Sequence, residues 1–207
     1  PLIAWTIEAA LKSRRLSRVI LSTDDDEIAQ VGQAWGVEVP FRRPKRLAQD
    51  DSPHVEALVH ALNWLKKHEN YVPDYFAVLL PTAPLRQAED IDAACDLVLA
   101  QKADTVLGVC ESPIHPFFIK GLTKDGRLTN FVDVPKGYLR RQDLPQALAN
   151  FGTINVTRTK KFLELKDWPS ERVFPCHMPP ERSLDVDSAW SLRLADLILT
   201  DQQKAST

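Results

Sequence analysis

The 207 residues, 44% of them hydrophobic, are enough to bury one substantial core and do not require a second, so one domain is expected over 1–207. A formal net charge of -2, with acidic and basic residues interspersed, leaves no electrostatic footprint for nucleic acid or an anionic membrane surface as partner. No apolar run is long enough to span a bilayer and no signal peptide is legible, which predicts a cytoplasmic protein. Cys95, Cys110 and Cys176 are odd in number, far apart and outside any C-x-x-C, as expected for reduced thiols.

Leu2, Ile3, Ile7, Ala10 and Leu11 recur at helical spacing, so a helix is predicted over 2–13, with Pro1 suited to its first turn. The β-branched run Arg18–Thr23 reads as a buried strand that ends in Asp24, Asp25 and Asp26 and leads into a capped helix over 25–35. Val37–Phe41 is a second short strand, and the Pro-marked Arg42–Arg46 a loop at its end. Val55, Leu58, Val59, Leu62 and Leu65 give an amphipathic helix over 55–67. The continuous apolar run Tyr75–Leu80 fits a central parallel strand, followed by the turn Pro81–Arg86, a helix over 88–102 and a buried strand over 105–111. Strand and helix alternate through short links, which predicts an α/β fold: a mostly parallel sheet flanked by helices.

From about 112 to 150 the alternation stops. Pro113, Pro116, Pro135 and Pro145 and an expected hairpin around Lys124–Arg127 mark an excursion from the sheet. A strand resumes at Gly152–Thr157, a short helix is expected over 159–165, and Val173–Met178 leads to an acidic pair. Trp190, Leu192, Leu194, Ala195, Ile198 and Leu199 mark a closing helix, with a frayed polar tail expected from Asp201 onward.

Ligands of an open parallel α/β sheet lie outside the carboxyl ends of the strands. Three clusters fall there: Asp24–Asp26, Arg42 with Arg43, and the turn Pro81–Arg86, in which two prolines fix the backbone and Thr82 adds a hydroxyl. Arg42, Arg43 and Arg46 read equally as a phosphate-holding set or as a solvated loop. In the segment Ser183–Trp190, extended geometry points Asp185 and Asp187 to one side and Leu184 and Val186 to the other. Two converging carboxylates suit Mg²⁺ and, through it, a phosphate-bearing substrate; capping by Asp185 or Asp187 of the helix that starts near Ser188 explains one of the two acids but not the pair. No Ser-His-Asp or Cys-His arrangement rises above chance.

Several stretches together resemble a known family. They are Pro1–Ala10, Leu21–Asp24, Phe41–Pro44 with Leu47-Ala48, Pro81–Arg86 with Asp90-Ile91-Asp92, Arg141–Pro145, and Glu181–Asp187. In this order, over nearly the whole chain, the set resembles the acylneuraminate cytidylyltransferase family, which couples CTP to sialic acid and related nine-carbon acidic sugars. The resemblance implies a fold of the nucleotide-diphospho-sugar transferase type and a homodimer in which the excursion packs on the partner subunit. It implies that Asp185 and Asp187 bind Mg²⁺ and are catalytic, and that Arg43 lies at the nucleotide. Ser52 stands for the Ser or Thr expected at the nucleotide after Leu47-Ala48, and Thr82, Arg86, Arg141 and Gln142 lie around the acidic sugar. A strand and a Gly-, Ser- and Lys-containing triphosphate loop are expected ahead of the position of Pro1. Leu80 stands where the family has Gln, Ala83 where it has Ser, Phe151 where it has Asn and Asn155 where it has Tyr. These departures leave three readings open: sialic acid as acceptor, legionaminic or pseudaminic acid as acceptor, and a catalytically inactive dimerising relative.

Overall fold

A computed structural model describes residues 1–207 apart from Lys136, Tyr138, Leu139, Ser206 and Thr207, and leaves the side chains of Arg141 and Ala205 undescribed. Helix α1 (Leu2–Lys12) buries Ala4, Thr6, Ile7, Ala9 and Ala10; of the face expected from the spacing, Ile7 and Ala10 are buried, Leu2 and Ile3 half-buried and Leu11 exposed. Helix α2 (Asp26–Ala34) is capped by Asp25, whose side chain accepts from Ile28 N at 2.8 Å, and Asp26 and Glu27 oppose the positive end of its dipole. Helix α3 (His54–Glu69) stops at Asn70, which takes a left-handed conformation at φ 50.

Then come strand β1 (Tyr75–Val78), helix α4 (Ala88–Ala100), strand β2 (Thr105–Glu111), and strands β3 (Lys120–Leu122) and β4 (Leu128–Asn130). The last two form the expected hairpin, separate from the main sheet, closed by a turn at Gly126 with φ +82. Strands β5 (Leu148–Ala149) and β6 (Asn155–Arg158), helix α5 (Thr159–Leu165), strand β7 (Val173–His177) and helix α6 (Ala189–Ala205) complete the chain. Helix α6 continues past Asp201, so the tail predicted to fray from there is helical as far as Ala205.

In the main sheet β6 lies between β1 and β2, while β7 and β5 also pair with β2. Strands β1, β2 and β7 run in one direction, as predicted for the majority. The pairing itself differs from the expected mostly parallel ladders: β6 runs against both of its neighbours and β5 runs against β2, leaving β2·β7 as the parallel ladder. The cause is the route of the chain. Strands β5 and β6 return from the excursion without a crossover helix, and only such a crossover sets consecutive strands parallel.

Helix α4 lays Ile91, Ala94 and Val98 on this sheet against Val106, Ile154 and Val156. Phe162 of α5 is fully buried and meets Phe76 edge-on, with ring centroids 5.0 Å apart.

The strands predicted over 18–23 and 37–41 are reduced to one parallel bridge, Ile20 to Glu38, held by Leu21 N to Glu38 O at 2.8 Å and Glu38 N to Val19 O at 3.1 Å. A cleft of about 660 Å³ has Val19, Ile20 and Leu21 on one wall and Ala77, Val78 and Leu79 on another, with Ile3, Thr6 and Ile7 of α1 also lining it. Strand β1 is consequently half-buried along its length, not enclosed as its apolar run predicted. Among the described residues no helix is long and apolar enough to cross a membrane, and the three cysteines are unbridged.

Candidate functional site

The turn after β1 is organised by Arg86, which is 3% exposed. Its guanidinium donates to Thr153 O, to Thr6 Oγ1 at 2.8 Å and to Leu80 O at 3.2 Å, joining α1, the turn and the approach to β6. Burial pushes its pKa down to about 10, against the opposing pull of Asp90. Its Nε is buried without a partner. Arg86, expected around the acidic sugar, turns its hydrogen-bonding fork inward and ties these three elements together. Beside it, Leu80 meets Gly152: a Cβ there would lie 2.8 Å from Leu80 Cδ1, at a φ of +68 that disfavours any other residue.

The acid pair hangs between two anchors. On the upstream side, Arg182 pairs with Asp90 Oδ1 at 2.9 Å and donates to Gln87 Oε1 at 2.9 Å. Asp90 is 6% exposed, and its other oxygen accepts from Gln87 N at 2.9 Å, which ties the segment to the amino end of α4. Midway, Val186 N donates to Thr82 O at 2.7 Å, so the acid segment lies along the Pro81–Arg86 turn. Asp185 is half-buried and its Oδ1 is enclosed without a partner; Asp187 is exposed.

The cap of α6 falls to neither aspartate. Ser188 Oγ accepts from Ser191 N at 3.1 Å while Ser191 Oγ accepts from Ser188 N at 3.0 Å, a reciprocal pair that satisfies two amide groups at the helix start. The acids are thereby released from the structural duty that competes with metal binding.

Arg43 is half-buried where the cleft meets the end of the Ile20 segment; it donates to Ser22 O at 2.9 Å, and its Nε, like Ser22 Oγ, is enclosed without a partner. Nearby His54 has its pKa lowered by burial and then by the charge of Arg43, which favours the neutral ring. Arg42 turns away to pair with Asp26 at 2.7 Å. Ser52 Oγ accepts from Gln49 N at 3.1 Å and donates to Arg46 O at 2.9 Å, so it shapes the loop after Arg43. Thr82 is half-buried on the turn. Gln142 is exposed on the short turn Arg141–Asp143, beside the pair of Arg140 with Asp143 at 2.7 Å. The side chain of Arg141 lies outside the described part of the structure.

The structure thus brings Asp185, Asp187, Thr82 and Arg86 to one turn, sets Arg43 and Ser52 on the neighbouring loop, and leaves Gln142 on the excursion. Arg182, Asp90, Ser188 and Ser191 support the acid segment, roles that the sequence did not assign to them. The three-residue spacing of Ser188 and Ser191 ahead of an apolar helix was the legible signal.

Residues 1–162 match the family model described as cytidylyltransferase. An N-acylneuraminate cytidylyltransferase of Escherichia coli is 30% identical over 205 residues, which cover 99% of this chain and 46% of that protein. A pseudaminic acid cytidylyltransferase of Campylobacter jejuni is 29% identical over 203 residues, 96% of this chain and 84% of that one. The chain therefore spans less than half the length of the first of these relatives and most of the second. Among solved structures, a CMP:2-keto-3-deoxy-manno-octonic acid synthetase complexed with CTP superposes with a TM-score of 0.68 at 16% identity, covering 98% of this chain and 88% of that one. At that identity the likeness speaks for the fold, and it agrees with the nucleotide-diphospho-sugar transferase type expected from the sequence.

Proposed function

For this chain, which belongs to the cytidylyltransferase family, we propose transfer of CMP from CTP to the anomeric hydroxyl of a nonulosonic acid. The sugar oxygen forms a bond to the α-phosphorus, the bond from that phosphorus to the bridging oxygen breaks, pyrophosphate leaves, and the hydroxyl proton passes to solvent. Such a reaction is governed by positioning and by neutralisation of developing charge.

The observation that carries the reading is the enclosed, unpartnered Oδ1 of Asp185 on the segment fixed against Thr82. An isolated buried carboxylate oxygen is costly, and a hard cation relieves that cost, so the residues fit Mg²⁺. Asp185 and Asp187 would hold it. Among the described residues no set of three or more His, Cys, Asp or Glu converges, so ligands beyond these two would have to come from phosphate oxygens and water. When bound, Mg²⁺ offsets the charge that develops on the α-phosphate and the departing pyrophosphate.

Arg43 faces the nucleotide, and Ser52 keeps the loop behind it in shape. Arg86 seats the turn that presents Thr82, so its part is to position the pocket. Arg141 and Gln142 are assigned to the sugar carboxylate from the excursion. The same excursion exposes Leu122 at 74%, Leu128 at 71% and Phe131 at 69%, an apolar surface that supports a homodimer seated there. The three unbridged cysteines support a reducing compartment, the cytoplasm, as the place of action.

Asp187→Ala should reduce Mg²⁺-dependent pyrophosphate release from CTP plus a nonulosonic acid by about a thousandfold, ~4 kcal/mol, with an unaltered circular dichroism spectrum. Turnover that survives the substitution sinks the metal assignment. Pseudaminic acid is a second reading of the acceptor beside sialic acid, since the relative named for it is 29% identical to this chain against 30% for the sialic one. A panel of nonulosonic acids offered with CTP separates the two, and no product with any of them would mark a catalytically inactive relative.

A further inference from the structure

Asp187 is exposed, and an exposed carboxylate on an extended segment ordinarily samples several rotamers. Here it has a neighbour that limits it. Ser191, 7% exposed one turn into α6, places its Oγ 3.2 Å from Asp187 Oδ1, 3.1 Å from Asp187 N and 3.0 Å from Ser188 N. A hydroxyl has two lone pairs and one proton. The two amides occupy the lone pairs. The proton has three acceptors in reach: Asp187 Oδ1, Ser188 O at 3.1 Å and Ser188 Oγ at 3.0 Å. Ser188 Oγ already accepts from Ser191 N, and the ionised carboxylate is the strongest acceptor of the three.

We propose that Ser191 is the positioning residue for Asp187: by donating to Oδ1 it fixes the carboxylate plane and leaves Oδ2 as the oxygen turned to the cation. The proposal rests on the reading of Asp185 and Asp187 as holding Mg²⁺. Partners one step behind a metal ligand typically govern 10- to 100-fold in metal affinity, because a ligand already held in place does not have to be ordered on binding. Ser191 also spans the junction of the acid segment and α6, so helix start and carboxylate orientation share one hydroxyl.

The test uses Mn²⁺ as the probe, titrated in the presence of CTP and read by the electron paramagnetic resonance signal of the free ion. Ser191→Ala should weaken Mn²⁺ binding by about 10- to 100-fold, and Ser191→Thr, which keeps the hydroxyl, should restore it. Ser188→Ala removes the other half of the helix cap and leaves the hydroxyl of Ser191 beside Asp187, so its Mn²⁺ affinity should stay at the parent value. Equal weakening by Ser188→Ala and Ser191→Ala would reduce the effect to helix capping and overturn the proposal. Parent affinity in Ser191→Ala, with Asp187→Ala deficient, overturns the proposal while sparing the metal reading. Parent affinity in Asp187→Ala removes both.

Discussion

On the side of the sheet built from β2, β6 and β7, α4 presses Ile91, Ala94 and Val98 against Val106, Ile154 and Val156, each at most 2% exposed. On the other side, β1 and the Ile20 segment border a cleft of about 660 Å³, and the four residues of β1 are all half-buried. The site draws on both. Asp185 and Asp187 follow β7 and are tied through Arg182 to α4, whereas Arg43 bonds to Ser22 beside the cleft. The segment proposed to hold the metal therefore inherits a rigid frame, and the loop proposed to face the nucleotide stands on a looser one. Catalytic groups need the first and substrate entry tolerates the second.

Arg86 joins the two sides, so its removal should have the largest effect. Arg86→Met strips donors from Thr153 O, Thr6 Oγ1 and Leu80 O at once and should cost about 4 kcal/mol in urea unfolding. A loss below about 1 kcal/mol would mean that the two sides are held together elsewhere. Next comes a matched pair. Ile154→Ala, at 0% exposure, should cost about 3 to 4 kcal/mol, and Leu79→Ala on the cleft wall about 1 kcal/mol. Equal losses would erase the distinction between the sides.

The contrast should also show in hydrogen exchange. Amides of β2 and β6 should approach the protection of global unfolding, with those of Val19–Leu21 exchanging earlier. The smallest effect concerns acid. Burial pushes Asp92 upward, but hydrogen bonds from Ser13 Oγ, Arg14 Nε and the amides of Arg14 and Arg15 prevail and hold it below the usual carboxylate range. A carboxyl depressed in the folded state stabilises above its unfolded pKa, about 4, and that contribution is lost as pH falls further. Asp92→Asn should flatten the fall in melting temperature below pH 4 or so and leave its slope near neutrality unchanged.

The helices were legible because period and punctuation agree: α3 shows its apolar stripe, α2 its aspartate cap, and the β3–β4 hairpin its Asp125-Gly126 turn. Strand direction was not, since alternation of side chains is the same whichever way a neighbour runs, and β6 took the direction that the excursion gave it. The polar residues after Asp201 suggested fraying, yet no Gly or Pro interrupts α6 before Ala205 and a solvated helical face is equally polar. In the site, the acid pair was visible as a spacing. The inward turn of Arg86 was not, because Thr6 and Thr153 lie 80 and 67 residues away along the chain. A capped helix after the Asp24–Asp26 run could be expected from adjacent residues, whereas the reach of Arg182 to Asp90 spans most of a hundred residues of chain and leaves no local mark.

The cleft beside β1 has an energetic consequence. Ala77, Val78 and Leu79 line it and stay half-buried. Each Å² of apolar surface taken from water is worth about 25 cal/mol, so the part of these side chains that faces the cleft withholds that contribution from the folded state. An apolar group that comes to cover them would gain it on arrival, which makes the wall of β1 a reserve of binding free energy.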